Sequence, residues 1–171
     1  MTRPIRPIRP IRPATPDDAA VIVDIYNHYV ATTVISFEER PVTADEMAGR
    51  IRDVTAVLPW LVYEADGRVI GYAYATRWRV RSAYRFAAET SVYLAPGQGG
   101  QGIGSALYTE LLEQLRAREI HMAIGGIAQP NPASVALHER LGFEKVAHFK
   151  QVGRKFDRWI DMGYWELQLG S

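Results

Sequence analysis

The feature that most constrains this chain is a run of glycines between an apolar segment and an amphipathic helical pattern. Residues 96–104 read Pro-Gly-Gln-Gly-Gly-Gln-Gly-Ile-Gly. Because glycine has no side chain, successive backbone N–H groups in such a loop can face an anion, and the following helix adds its positive end. The run therefore predicts a phosphate or diphosphate site. A plain tight connection is the alternative, but it would rarely need so many glycines.

The spacing of these glycines leaves more than one phosphate ligand open. Gly97, Gly99 and Gly102 satisfy the dinucleotide-binding fingerprint, and Glu119 follows about 20 residues later. A nicotinamide-cofactor protein is thus an alternative. Against it, a hairpin pattern precedes the run, Glu119 comes before its strand, and too little chain follows for a doubly wound sheet. A P-loop is excluded because no Lys-Ser or Lys-Thr follows the glycines.

Capping, turn and periodicity signals predict a mixed order of helices and strands. Helices are expected after Thr15-Pro16 and after the capping box Thr43–Glu46, over Ile103–Leu115, and from Asn131 to Leu141. Strands are expected at Ile11–Ala14, Trp60–Ala65, Arg68–Trp78, Arg85–Leu94, His121–Ala128, Lys145–Lys150 and Trp159–Leu169. The hairpin-rich first half favours an α+β fold over a doubly wound one.

Composition excludes several classes of protein. Cysteine is absent, which excludes disulfides, thiolate metal sites and a cysteine nucleophile, and the four histidines are too scattered for a metal site. No apolar run is long enough to span a membrane or act as a secretion signal, so we expect a cytoplasmic protein. A net charge of +1 argues against a nucleic-acid partner. Residues 1–10 form an Arg/Pro-repeat tail, followed by a single domain over residues 11–171.

Two segments resemble the coenzyme-binding motifs of the GNAT acetyltransferase superfamily. Val92-Tyr-Leu-x-Pro96 with Gly102-Ile-Gly104 resembles its pyrophosphate motif, and residues 131–143 resemble its second coenzyme A segment. Within the superfamily, the chain is most similar to the phosphinothricin and methionine-sulfone N-acetyltransferases, from about residue 11 to residue 169. The resemblance implies the GNAT (acyl-CoA N-acyltransferase) fold, a mixed, mostly antiparallel twisted sheet flanked by helices. It also implies acetyl-CoA as co-substrate, no metal and a homodimer.

The resemblance assigns coenzyme contacts to three places in the chain. These are the strand residues Val92, Tyr93 and Leu94, the loop residues Gly99, Gly100, Gln101, Gly102, Ile103 and Gly104, and Asn131. The strand would offer unpaired backbone groups to the pantetheine arm. Asn131 is also an ordinary helix cap, and the two roles are compatible. One departure is Gly99, which stands where the superfamily usually has Gln or Arg.

Glu89 and His138 match the catalytic positions of the resembling family. Glu89 lies in an apolar strand, where burial would raise its pKa towards a value useful to a general base. An ion pair with a nearby arginine is the alternative. His138 would give a proton to the departing sulfur or relay one, whereas a surface histidine on an amphipathic helix is the alternative. Tyr108 is a weaker candidate acid.

The acceptor site is expected around residues 78–84. Alternation would put Arg79 and Arg81 on one side of an extended segment, where two guanidinium groups could bind acidic oxygens. The family's substrate residues correspond to Arg79, Arg81 and Tyr84, with Phe37 as an aromatic wall. A solvated charge run is the alternative.

The sequence therefore predicts direct transfer of acetyl from acetyl-CoA to the α-amino group of a small amino acid analogue, such as phosphinothricin or methionine sulfone. Such an activity would confer herbicide resistance. Other acceptors, a peptide N-terminus or a polyamine, remain alternatives within the same superfamily. A non-catalytic acetyl-CoA binder is the alternative from a different class.

Overall fold

A computed structural model describes residues 10–170, so residues 1–9 of the predicted Arg/Pro tail lie outside the described residues. Within residues 10–170 there are seven strands: β1 Ile11–Pro13, β2 Trp60–Ala65, β3 Arg68–Arg77, β4 Ala87–Leu94, β5 Met122–Ala128, β6 Glu144–Lys155 and β7 Arg158–Gln168. Four α-helices accompany them: α1 Ala19–Thr32, α2 Ala44–Thr55, α3 Ile103–Arg116 and α4 Pro132–Arg140.

Local signals in the sequence account for most of these boundaries. The Thr43 hydroxyl accepts the Glu46 amide N–H at 3.2 Å and the Glu46 carboxylate accepts the Thr43 N–H at 2.8 Å, so the predicted capping box begins α2. Asp66 and Gly67 both have positive φ, as the two-residue turn between β2 and β3 requires. The Asn131 side chain accepts the Ser134 N–H at 3.2 Å and caps α4.

Some predicted strand ends are wrong. β3 stops at Arg77, one residue before Trp78, and β4 starts at Ala87 instead of residue 85. β6 continues five residues past the predicted end at Lys150, because the register with β7 shifts between Phe149 and Gly153 and the strand then resumes.

The strands form one sheet in the order β1-β2-β3-β4-β5-β7-β6. Every neighbouring pair is antiparallel except β4 and β5. The predicted α+β class, with a mixed and mostly antiparallel sheet flanked by helices, is confirmed. The parallel pair lies in the middle of the sheet, and its geometry determines the candidate site.

The helices cover the two faces of the sheet separately. α1 and α2 pack with Trp60, Val62 and Tyr72 on one face. α3 packs with Ala73, Ala75 and neighbours on the other, and α4 lies against β5 on that same side. Within residues 10–170 no helix is both long and apolar enough to cross a membrane.

Candidate active site

The glycine loop between β4 and α3 is shaped by backbone conformations that favour glycine. Gly97, Gly100 and Gly102 all have positive φ, between 76° and 81°. Gly102 is the N-cap of α3, and no side chain caps its first turn. The free N–H groups of that turn therefore face the loop, which makes this helix end suitable for an anion.

β4 and β5 separate after a short parallel contact. They pair only over Ala87–Glu89, opposite Met122–Ile124. Ala95 donates its N–H to Ile70 in β3 at 2.9 Å. Because hydrogen-bonded pairs alternate along an antiparallel ladder, Tyr93 also bonds towards β3 and Val92 points its N–H and C=O into the gap. The predicted splayed strand is present, with Val92 rather than Tyr93 offering backbone groups.

Leu94 also faces the gap by this alternation, but its carbonyl is already engaged. It accepts the hydroxyl of Tyr29 in α1 at 2.6 Å. A ligand lying along β4 would therefore meet Val92 and the N–H of Leu94. Tyr29 was not assigned from the sequence, because nothing in the α1 pattern distinguishes it from a core aromatic residue.

A cleft of about 510 Å³ lies between β4, the glycine loop and α4. Nine predicted coenzyme residues line it: Val92, Tyr93, Leu94, Gly99, Gly100, Gly102, Ile103, Gly104 and Asn131. Gln101 does not line the cleft; it is exposed and its side chain lies near that of Gln98. Arg140 in α4 also lines the cleft and was missed from sequence, although it lies inside the segment that resembles a coenzyme motif.

Glu89 is half-buried at the point where β4 and β5 separate. Burial raises the pKa of its carboxyl group above the ordinary value, and the positive charge of Arg79 offsets part of that rise. Among residues 10–170 no lysine or arginine nitrogen forms a salt bridge with Glu89, so the alternative of an ion pair is wrong. A carboxylate with a raised pKa and no direct partner is suited to accept a proton.

His138 is only 4% exposed, so the alternative of a surface histidine is wrong. Its Nδ1 lies 2.7 Å from the carbonyl oxygen of Ser134, and a carbonyl can only accept. Burial lowers the pKa of His138, and the bond to Ser134 partly opposes this. The neutral ring therefore carries its proton on Nδ1, which leaves Nε2 as an acceptor.

Tyr108 supplies the proton that Nε2 accepts. Its hydroxyl lies 2.8 Å from His138 Nε2, and the Thr90 hydroxyl lies 2.6 Å from that same oxygen. Since Tyr108 donates to the ring, Thr90 donates to Tyr108. The result is a buried chain of hydrogen bonds from Thr90 through Tyr108 to His138. Thr90 was missed because a threonine in a strand gives no functional signal.

Glu89 and His138 lie on opposite faces of the sheet. A Cβ atom built on Gly126 would lie beside Glu89 and one built on Gly125 beside His138, and successive residues of a strand face opposite ways. A channel of about 50 Å³ at the separation of β4 and β5 is lined by residues of both sides, including Thr90, Gly126 and His138. It shares Val92 and Asn131 with the large cleft, and Gly126 in its lining is next to Glu89.

The predicted acceptor residues are only partly brought together. Residues 78–81 form bends after the end of β3, so the alternation argument for Arg79 and Arg81 is wrong. Arg79 lies near Glu89, with its guanidinium 4.1 Å from the ring of Trp78. Arg81 and Tyr84 are exposed and line neither the cleft nor the channel. Phe37 packs against Gly153 of β6.

Comparison with known proteins shows what kind of protein has this arrangement. Residues 11–164 match the acetyltransferase (GNAT) domain family. The chain belongs to the GNAT acetyltransferase family. A phosphinothricin N-acetyltransferase from Streptomyces coelicolor is 40% identical over 167 residues, covering 90% of this chain and 92% of that protein.

Two further relatives of this GNAT protein agree with that match. An L-methionine sulfoximine/L-methionine sulfone acetyltransferase from Salmonella typhimurium is 38% identical over 154 residues, covering 89% of this chain and 90% of the relative. A phosphinothricin acetyltransferase from Sinorhizobium meliloti, solved in complex with acetyl-CoA, has a TM-score of 0.91 and 40% identity. The alignment covers 94% of this chain and 88% of that one. The resemblance seen in the sequence is confirmed.

The charge of Arg79 gives the GNAT site a testable pH dependence. Arg79 lowers the pKa of Glu89, so Arg79→Gln should let that pKa rise further. A general base works only when deprotonated, so we expect the acid limb of kcat/KM against pH to move to higher pH. Arg81→Gln is the matched control and should leave the limb in place. If the acid limb of Arg79→Gln does not move, or moves to lower pH, Arg79 does not lower the pKa of Glu89.

The hydroxyl of Tyr108 is expected to fix the proton position of His138. Tyr108→Phe keeps the ring but removes the donor to Nε2, which leaves a buried acceptor unpaired and should cost about 1–3 kcal/mol of unfolding free energy. Urea unfolding measures the loss, and ¹⁵N shifts of the imidazole report the tautomer. Tyr63→Phe is the control, since its hydroxyl has no hydrogen bond among the described residues. Equal stability of the two variants would contradict the proposed chain of bonds.

Proposed function

We propose that this chain is an amino-acid N-acetyltransferase that acetylates the α-amino group of phosphinothricin- or methionine-sulfone-type amino acids, with acetyl-CoA as donor. The observation that carries this proposal is that the cleft beside the glycine loop and the smaller channel share lining residues where β4 and β5 separate. Gly126 in the lining of the channel is next to Glu89, a half-buried carboxylate with a raised pKa. A site of this form holds a long anionic coenzyme on one side and an amine on the other.

The residues of the cleft fit acetyl-CoA. The first turn of α3 and the loop amides at residues 99–104 would hold the diphosphate, with Arg140 adding a positive charge. Val92 would bond the pantetheine arm, and Asn131 lies where the cleft joins the channel. When bound there, acetyl-CoA supplies an activated acetyl group to the amine.

Glu89 would act on the acceptor amine. An α-ammonium group must lose a proton before it can attack, and Glu89 is the carboxylate next to Gly126, which lines the channel. Its raised pKa brings it closer to the pKa that proton transfer near neutral pH requires. Arg79, held against Trp78, would bind the acceptor's carboxylate or phosphinate oxygens. Arg81, Tyr84 and Phe37 stay predicted acceptor residues.

On the other face, the buried hydrogen bonds suit a relay. The hydroxyl of Tyr108 donates its hydrogen bond to Nε2 of His138, and burial raises the pKa of that hydroxyl. His138 in its neutral form has no proton on Nε2 to give, so we assign it to relaying or holding a proton rather than to direct donation. No acyl-enzyme is needed, because the chain has no cysteine and no serine in a nucleophile motif.

Release of free thiol from acetyl-CoA, measured across a panel of amino acids, tests the proposal. We expect turnover with phosphinothricin, methionine sulfone or methionine sulfoximine, and tighter coenzyme binding than for NADH in calorimetry. Peptide N-termini and polyamines are the control acceptors. A polyamine needs an acidic lining, whereas the charge beside Glu89 is the cation Arg79. Absence of acetyl-CoA binding at millimolar concentration would overturn the proposal.

Three further features stay predictions. They are a homodimer, a cytoplasmic location, and the division into a tail at residues 1–10 and one domain over residues 11–171. Light scattering of the purified protein measures the first of these.

A further inference from the structure

Four neighbouring strands, and the residue that follows β3, each place one residue on the sheet face of Glu89. Gly126 lies opposite Tyr164 in the register of β5 and β7, and Glu89 lies beside Ile124, two residues before Gly126. Since residues two apart share a face, Glu89, Gly126 and Tyr164 face the same side. Trp78, after β3, and Phe149, in β6, complete the set.

Gly126 makes a hollow in this face. It is exposed, although β5 lies inside the sheet between β4 and β7. A Cβ atom built on it would lie 3.1 Å from Cε1 of Tyr164 and 3.3 Å from Oε1 of Glu89. The space that any other residue would fill is therefore bounded by the carboxylate on one side and the phenol ring on the other.

An aromatic row borders the hollow, made of Trp78, Tyr164 and Phe149. The ring centre of Tyr164 lies 5.5 Å from that of Trp78 and 5.7 Å from that of Phe149, both in edge-to-face contact. Arg79 stacks on the ring of Trp78 at one end of the row. The row thus presents an apolar wall with a cation at its end, which fits a methylene chain that ends in acidic oxygens.

We propose that Gly126 and Tyr164 set the size limit of the acceptor amino acid. The amine must come within hydrogen-bond distance of Glu89, about 2.7–3.2 Å. A Cβ on Gly126 would lie 3.3 Å from that same oxygen, so the carbon bearing the amine occupies the hollow. Its side-chain methylenes then pack on the ring of Tyr164, and Arg79 meets the oxygens. This inference rests on the proposed function.

The test compares steady-state constants for methionine sulfone, or for the best amino acid of the panel, between the wild type and Gly126→Ala. The added methyl group fills the hollow, so KM should rise at least about tenfold, the scale of one methylene in a tight pocket. We expect kcat to change less than about threefold. The pH profile of kcat and the calorimetric affinity for acetyl-CoA should stay at wild-type values.

Three further variants sharpen the comparison. Tyr164→Ala removes the wall and should raise KM, while Tyr164→Phe keeps the ring and should not. Phe156→Ala is the matched control, because Phe156 is an exposed aromatic residue in the turn between β6 and β7. It should keep the wild-type KM.

The outcomes separate this inference from the proposed function. Wild-type KM in Gly126→Ala overturns the inference alone. A fall in kcat with a displaced acid limb and unchanged KM also overturns it, since the methyl group would then act on Glu89 and not on the acceptor. A wild-type protein that turns over no amino acid overturns the proposed function, and the inference with it.

Discussion

Glu89→Gln should lower kcat by about 10²- to 10⁴-fold, the usual contribution of a positioned general base. Glutamine keeps the shape and the hydrogen-bonding oxygen of the side chain but cannot take a proton. The pH profile of the residual activity should also lack the acid limb, because the titrating carboxyl group is absent. In the wild type this limb lies above the ordinary pKa of a glutamate, because burial raises the pKa of Glu89. Thiol release measured against pH checks both expectations.

Stability and coenzyme binding provide the controls for this variant. A carboxyl group whose pKa is raised by folding binds protons more tightly in the folded state, so its ionisation costs stability as pH rises through that range. Glu89→Gln should therefore be at least as stable as the wild type at neutral pH. Its affinity for acetyl-CoA should be unchanged, because the cleft lies along β4 and α3. Full activity in a folded variant would remove Glu89 from the mechanism.

Local signals allowed the elements and most of the residues that line the cleft to be predicted from the sequence. The glycines with positive φ, the Thr43 capping box and the Asn131 cap each fix the backbone within a few residues, so their position in the chain is sufficient. The lining of the cleft could be predicted for the same reason, because one strand, one loop and one helix end form most of it.

The surroundings of Glu89 depend on contacts between distant strands, which the sequence pattern does not show. Tyr164 and Glu89 both border Gly126 only because β7 pairs with β5, and the sequence pattern of β7 does not reveal which strand will be its neighbour. Arg79 and Arg81 were predicted to lie on the same side of an extended segment, but the chain bends after Arg77, and of the two only the charge of Arg79 acts on the pKa of Glu89. Two adjacent glycines in β5 were the available signal, because glycine weakens a strand unless something approaches its backbone closely.

Gly125→Ala should displace the imidazole ring of His138, because the new methyl group overlaps with it. A Cβ on Gly125 would lie 2.5 Å from Nε2 and 2.7 Å from Cδ2 of that ring. The ring is buried and has Tyr108 and Phe143 edge-on at 5.0 Å each, so little room is left for it to move. Displacing it breaks the bond to Tyr108, and we expect a loss of about 1–3 kcal/mol of unfolding free energy together with a fall in kcat. Each kcal/mol should lower Tm by about 2–4 °C.

Two comparisons show whether this loss comes from the contact with His138. Gly49→Ala, in α2, has only the Arg52 side chain within 4 Å of the new atom and should be neutral or stabilising, since alanine favours helix. In a His138→Ala background the obstructing ring is absent, so adding Gly125→Ala should cost much less than it does in the wild type. Thermal unfolding of the four proteins gives the coupling. If Gly125→Ala lowers the unfolding free energy equally with and without the His138 ring, the loss arises within β5. Gly125 then has no part in positioning His138.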